Sequence, residues 1–368
     1  MRLLIGVILL AFGALALAPR VAIANDGIGS LGVGGIVAYG KTDAVAMRTE
    51  VLEISTSRID VAYEFVNESS EPVTLSVVFP LPPYGAMLPS PGWGGQPPNF
   101  SLTIDGEARQ FEVGIRATNE WSDARPRGAD VTNELKLIGL SPQQIAVFPG
   151  AFDKPGTTFS MFEGKRAFAL PVTPVQRRKL IAAGLLVPDP GGLLDAEADF
   201  PAWEAHITYA WTITFPPGKI VSVKHSYAPF LTLGGGADLY AAYIRRDSLK
   251  DFCASPVLVN RLQQLIAPHE SMPGTQVRYI LKTANTWKGP IKSFTLRLKK
   301  SSPKEFISLC FPGDFVKVDA LTLESRLEDF SPAEDLHIQY LDPTRTIEYG
   351  KNMDGFGEAP RIPGGLAR

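Results

Sequence analysis

Trp203-Glu204-Ala205-His206-Ile207-Thr208-Tyr209-Ala210-Trp211-Thr212-Ile213-Thr214-Phe215 is the stretch on which the fold turns. Apolar side chains fall at Trp203, Ala205, Ile207, Tyr209, Trp211, Ile213 and Phe215, while Glu204, His206, Thr208, Thr212 and Thr214 occupy the alternate positions. A two-residue period puts the first set on one face, as a half-buried antiparallel strand requires. Pro216-Pro217-Gly218 stops the strand, and Ile220 to Tyr227 reads as its return.

The same pattern recurs outward in both directions. Ile59, Val61, Tyr63 and Phe65 alternate with Asp60, Ala62 and Glu64. After the polar turn Asn67 to Glu71, the alternation resumes at Val73, Leu75, Val77 and Phe79, predicting a hairpin-like unit. Phe100, Leu102 and Ile104 run into the Asp105-Gly106 turn signal, with Phe111, Val113 and Ile115 beyond it. Towards the C-terminus, Val277 to Leu281, Phe294 to Leu298, Ile307 and Leu309, Leu321 and Leu323, and Leu336 to Tyr340 predict at least five further strands.

Helices are few. Thr173-Pro174 and Ser255-Pro256 each place an N-capping side chain before a first-turn proline, predicting helices to about Ala183 and to a stop before Pro268. Asp130 to Ile138 predicts one or two further turns. The 368 residues include 34 glycines and 31 prolines, which suits short strands joined by turns. With 45% hydrophobic residues, 20% charged residues and a net charge of -2, the chain is neither disordered nor polytopic. That charge leaves no electrostatic footprint for nucleic acid.

The expected fold class is therefore mainly β, as two antiparallel β-sandwich-like domains with a few short decorating helices. The polar, turn-rich His269–Gly274 segment marks a change of region. Residues 25–246 form the expected N-terminal β domain, with a helical and loop insertion around 117–200. A connector helix and C-terminal sandwich take 247–342, and 343–368 is read as a loosely ordered tail.

The first 24 residues read as an address. Arg2 precedes the apolar run Leu3–Ala18, and Ala22-Ile23-Ala24 offers small residues to a signal peptidase, so cleavage is expected before Asn25. Ala16-Leu17-Ala18 is a second possible site, and an uncleaved anchor is the alternative. A cleaved chain is periplasmic or secreted and has no later membrane span. Cys253 and Cys310 make an even count, which in an oxidising compartment predicts a structural disulfide. Two buried thiols or a redox pair are the alternatives, although a redox Cys-x-x-Cys spacing is absent.

Several separated segments resemble one bacterial exported family, the domain of unknown function 4424 family. They are Asn25-Asp26-Gly27 through Gly34-Gly35-Ile36-Val37, Tyr63-Glu64-Phe65-Val66-Asn67, Phe79-Pro80-Leu81-Pro82 and His225-Ser226-Tyr227-Ala228-Pro229. Tyr279-Ile280-Leu281-Lys282-Thr283, Asn285 to Ile291 and Leu309-Cys310 continue the match, which runs from about Asn25 to Tyr340. The resemblance implies export and pairing of Cys253 with Cys310; it brings no activity, cofactor or catalytic residue. More loosely, the pattern is similar to a vault/inter-alpha-trypsin β-sandwich, an analogy that lends no function.

Motifs for chemistry are sparse. Gly27-Ile28-Gly29-Ser30-Leu31-Gly32 spells G-x-G-x-x-G, but it lacks the preceding strand and following helix that would aim backbone N–H groups at a pyrophosphate. It is read as flexible or tightly turning backbone, and no cofactor is expected. His206, His225, His269 and His337 are scattered without ligand spacing, so no metal is assigned. His206 and His337 read as solvent-facing. His225 is a hydrogen-bonding residue or, in the alternative reading, acts with a nearby carboxylate in a metal-independent envelope hydrolase. Arg177-Arg178-Lys179 reads as a solvated helix face, and Asn67-Glu68-Ser69 as a turn in place of a glycosylation site.

The segment from Pro80 to Pro98, with seven prolines and four glycines, carries Tyr84 and Trp93 in a stiff loop. Aromatic groups so held can anchor a partner at low entropic cost, or fold back over a sheet edge. Trp93, Tyr84 and His225 are accordingly the candidate binding residues. The leading expectation is a non-enzymatic binding or assembly module, engaging an envelope or surface partner through loops or a sheet edge.

Overall fold

A computed structural model describes residues 26–32, 35–86, 99–148, 170, 172–188, 199–233, 237–240, 249–267, 270–344 and 346–348. The chain begins with β1 (Gly27–Leu31), β2 (Val37–Tyr39), β3 (Val45–Ile54) and β4 (Ile59–Asn67). β5 (Val73–Pro80), β6 (Tyr84–Gly85), β7 (Ser101–Ile104), β8 (Glu107–Ala108) and β9 (Glu112–Asn119) follow. Helices α1 (Thr132–Ile138), α2 (Pro142–Ile145) and α3 (Pro174–Ala182) and strands β10 (Leu186–Pro188) and β11 (Asp199–Pro201) precede β12 (Trp203–Phe215) and β13 (Ile220–Tyr227). Next come β14 (Leu231–Leu233), β15 (Leu239–Tyr240), α4 (Pro256–Leu265), β16 (Glu270–Met272) and β17 (Gly274–Tyr279). The last strands are β18 (Ile291–Lys299), β19 (Phe306–Leu309), β20 (Val316–Lys317), β21 (Thr322–Phe330), β22 (Leu336–Leu341) and β23 (Ile347–Glu348).

The mainly β class holds, and the decorating helices start where their caps predict. Thr173 accepts from the Gln176 N–H while the Gln176 side chain accepts from the Thr173 N–H, so two otherwise orphaned donors are satisfied. Ser255 likewise caps α4 through the Leu258 N–H. Arg177, Arg178 and Lys179 are exposed on α3, and Leu180 faces inward.

Pairing between strands departs from the expected hairpins. An eight-stranded sheet runs β20-β21-β18-β3-β4-β13-β7-β8, and a second runs β2-β1-β5-β12-β6 with β9 also on β12. β4 and β5 thus lie in different sheets, as do β12 and β13. Each connection is an arch across the sandwich. The physical reason is that alternation fixes which side chains turn inward and says nothing about which strand supplies the hydrogen bonds. Asn67 anchors the first arch: it is buried, and its Nδ2 donates to Glu71 O at 2.7 Å and to Phe215 O at 2.8 Å. Its carbonyl oxygen accepts from the Ser69 N–H, confirming the turn reading of this Asn-x-Ser. Only the short β7–β8 pair closes over Asp105-Gly106; β9 then crosses to β12.

The strands expected as a separate C-terminal sandwich are divided between sheets. β18 lies parallel to β3, from Ser293↔Thr49 to Leu298↔Ile54, and carries β21 and β20 into the eight-stranded sheet. β14, β17, β22 and β19 form a sheet of four. One sheet and one principal core therefore draw on both sides of the boundary placed at residue 246. The polar His269–Gly274 stretch holds β16, and the residues read as a loose tail begin with β23 paired to it. A smaller core gathers Phe252, Val259, Leu262, Ile266 and Met272 beneath α4. Cys253 and Cys310 are joined there, at a Cα separation of 4.9 Å.

The glycine motif forms β1, an extended strand. A Cβ at Gly29 would stand 2.9 Å from Ala38 O, and one at Gly27 would stand 2.9 Å from Thr283. Close approach of neighbouring chain, and no phosphate cradle, accounts for these two glycines.

Candidate functional site

His225 follows the inward phase of β13, set by Val221, Val223 and Tyr227. This turns its ring between the sheets, where Phe79 lies 4.5 Å away, Trp211 and Tyr63 5.4 Å, and Phe100 5.7 Å between centroids. His225 Nε2 lies 2.9 Å from Asp26 Oδ1, with side-chain exposures of 0% and 1%. Burial pushes the Asp26 carboxyl above its ordinary range, while the imidazole opposes that rise.

The pair belongs to a larger buried polar group. Trp287 Nε1 donates to Asp26 O at 2.6 Å, fastening the start of the described chain to the C-terminal region. The Tyr63 and Tyr279 hydroxyls meet at 3.2 Å. Glu50, wholly buried on β3, sits opposite Tyr63 in register. Burial first, then neighbouring polar and acidic groups, raises both tyrosines well above the ordinary phenol range. Such an ensemble gathers two acids and an imidazole, all buried. A general base must reach the proton it abstracts, and the His225 side chain has no exposed surface.

The opposite side of the same strands presents an open depression of about 400 Å³. Strand register builds it. Arg297, Glu53, Asp60, Ser226 and Ser101 form one row across β18, β3, β4, β13 and β7. Thr295, Val51, Ala62, Lys224 and Thr103 form the next. Small Ala62 and Val51 sit among longer side chains, leaving room on the sheet. Val61 and His225 contribute only outer backbone, because their side chains turn into the core. Most charges here are engaged: Arg58 Nε meets Asp60 at 3.0 Å, Arg297 Nε meets Glu324 at 2.7 Å, and Lys299 Nζ lies 3.9 Å from Glu53. Hydrogen bonds from Arg297 and then Arg326 hold the Glu324 carboxyl below its usual range despite some desolvation.

The other candidates are dispersed. Tyr84 is buried, packs tilted against Phe230 at 4.1 Å between centroids and donates its hydroxyl to Ala146 O. Trp93 lies outside the described residues, as does His269. His206 is partly buried, with Nε2 2.9 Å from Thr118 Oγ1 and 3.3 Å from Glu204. His337 was expected in solvent but packs 4.4 Å from the Phe252 ring, and burial lowers its pKa. Among the described residues, no group of three or more His, Cys, Asp or Glu side chains is placed to hold a metal ion.

Comparison with known proteins places the chain by sequence. Residues 24–339 match the family described as Domain of unknown function (DUF4424). The chain belongs to this family. No curated protein gives a significant match to this DUF4424 chain. A crystal structure from Legionella pneumophila, titled as that of a "putative nutrient binding protein", is similar at 15% identity with a TM-score of 0.36. The match covers 86% of this chain and 71% of that one.

Proposed function

We propose that this DUF4424 protein is an exported, non-enzymatic binding module that meets its ligand on the solvent face of the eight-stranded sheet, with His225 serving structure. The supporting observation is the division of labour along β13. His225 is sealed against Asp26 with 0% side-chain exposure, while the adjacent Lys224 and Ser226 line the open depression. An oxidising compartment is supported by the Cys253–Cys310 bridge and by the leader read over residues 1–24. Mass spectrometry of the protein from its native host should find Asn25 at the N-terminus; a retained leader would contradict export by cleavage.

The function test runs two assays on the purified, oxidised protein. Chromogenic esters, phosphate esters and glycosides should not turn over, while a library of small metabolites should contain compounds that raise its melting temperature. Turnover that disappears in a folded His225→Asn variant would replace this reading with the hydrolase. A library without any stabilising compound would remove small-molecule binding.

A further inference from the structure

We propose that the depression on the eight-stranded sheet takes a small hydroxylated oxyanion, a polyhydroxy carboxylate or phosphate ester, with Lys224 as the charge that recognises it. This rests on the binding-module reading above and names its ligand class. Among the described residues the lining contains no aromatic side chain directed outward, so none of them offers a ring for stacking. Among the described residues its apolar surface is limited to Val51, Ala62 and the backbone at Val61, too little to hold an acyl chain.

What remains is hydroxyl and charge. Ser101, Thr103 and Ser226 line the space, and Thr103 stands directly opposite Lys224 in the β7–β13 register. Ser226 already donates to Asp60, and Ser101 makes one long contact to Ser226 O at 3.5 Å. Neither Lys224 nor Thr103 has a side-chain hydrogen bond or ion pair among the described residues. Lys224 is exposed, and its two cross-strand neighbours, Ala62 and Thr103, are neutral.

The lining itself is balanced in charge, with Lys224 and Arg297 beside Glu53 and Asp60, and Arg297 is engaged by Glu324. The carboxylates of the lining are each turned to a cation, leaving the Lys224 ammonium and the Thr103 hydroxyl as donors ready for an oxygen-rich anion.

Titration calorimetry at low ionic strength with gluconate and glucose 6-phosphate, against neutral glucose, tests the assignment. At least one anion should bind about tenfold or more tightly than glucose, with affinity falling as salt rises. The preferred anion distinguishes the carboxylate from the phosphate source. Lys224→Gln should lose about tenfold in affinity while Lys224→Arg keeps most of it, and both should melt near the parent temperature because the residue is exposed. Binding unchanged in Lys224→Gln, or no binding of either anion at about 10 mM, overturns the proposal. Failure here with a Lys224-independent library ligand in hand leaves the module reading standing. Failure here with no library ligand removes both.

Discussion

Asp26 and His225 share one desolvated site, so either truncation strands the remaining group away from water. Asp26→Ala and His225→Ala are each expected to cost about 3–5 kcal/mol in urea unfolding, as for a broken buried ion pair. The double variant should cost less than the two single losses added, because the second truncation removes the group stranded by the first. Additive losses would show that the 2.9 Å contact contributes no coupling. The carboxyl also carries a pH signature. Its folded pKa is raised by burial, so the folded state holds that proton more tightly than the unfolded chain. The resulting stabilisation is full below the unfolded value near pH 4 and is lost as pH rises through the higher folded value. Asp26→Asn should remove that descending component from a plot of unfolding free energy against pH. If the two plots run parallel, the carboxyl is not perturbed as the structure requires.

At the scale of elements, most long strands after Ile59 were legible, β1 and β3 were not, and the strands' partners were not. The alternation along Trp203–Phe215 places Tyr209, Trp211 and Phe215 inside, and they are buried. The same alternation assigns His225 to the inner face with Val221 and Val223, and Glu50 with Leu52 and Ile54. A polar residue in an apolar phase was therefore the available signal for the buried group. Asp26 offers no such signal, because the glycine-rich strand beside it has no alternation to read. Lys224 escaped for the complementary reason: an outward lysine looks ordinary until register sets it beside Thr103, Ala62 and Ser226 across three strands. Gly274 shows how tightly the elements are fitted. A Cβ there would fall 1.9 Å from Ala237 O and 2.6 Å from the Gln339 amide. Gly274→Ala should force β17 away from its neighbours and cost about 1–3 kcal/mol in thermal or urea unfolding. A variant as stable as the parent would mean that the 237–240 segment yields freely.

Over the whole molecule, the parallel β3–β18 pair makes the N-terminal region depend on residues far along the chain. A protein ending at residue 246 would expose β3 as a long unpaired edge and lose Trp287 from beside Phe65 and Phe215. It should therefore lack the cooperative unfolding transition of the intact chain, and a sharp transition would establish an independent N-terminal domain. The disulfide acts elsewhere. It links the segment leading into α4 to the end of β19 across 57 residues, closing a loop that carries Val259, Leu262, Ile266 and Met272 of the smaller core as well as β17 and β18. Chain-entropy reasoning assigns such a closure about 4 kcal/mol. A Cys253→Ser/Cys310→Ser variant should lose roughly that stability, and the loss should have an address in native-state hydrogen exchange. Phe252, Val259 and Leu262 pack in the small core, apart from the principal one, so α4 amides should lose more protection than those of β3, β4 and β12, which follow the fall in global stability. If α4 and β4 lose equal protection, the smaller core is part of the same cooperative unit as the sandwich. Unchanged exchange throughout would mean that packing under α4 suffices without the covalent tie.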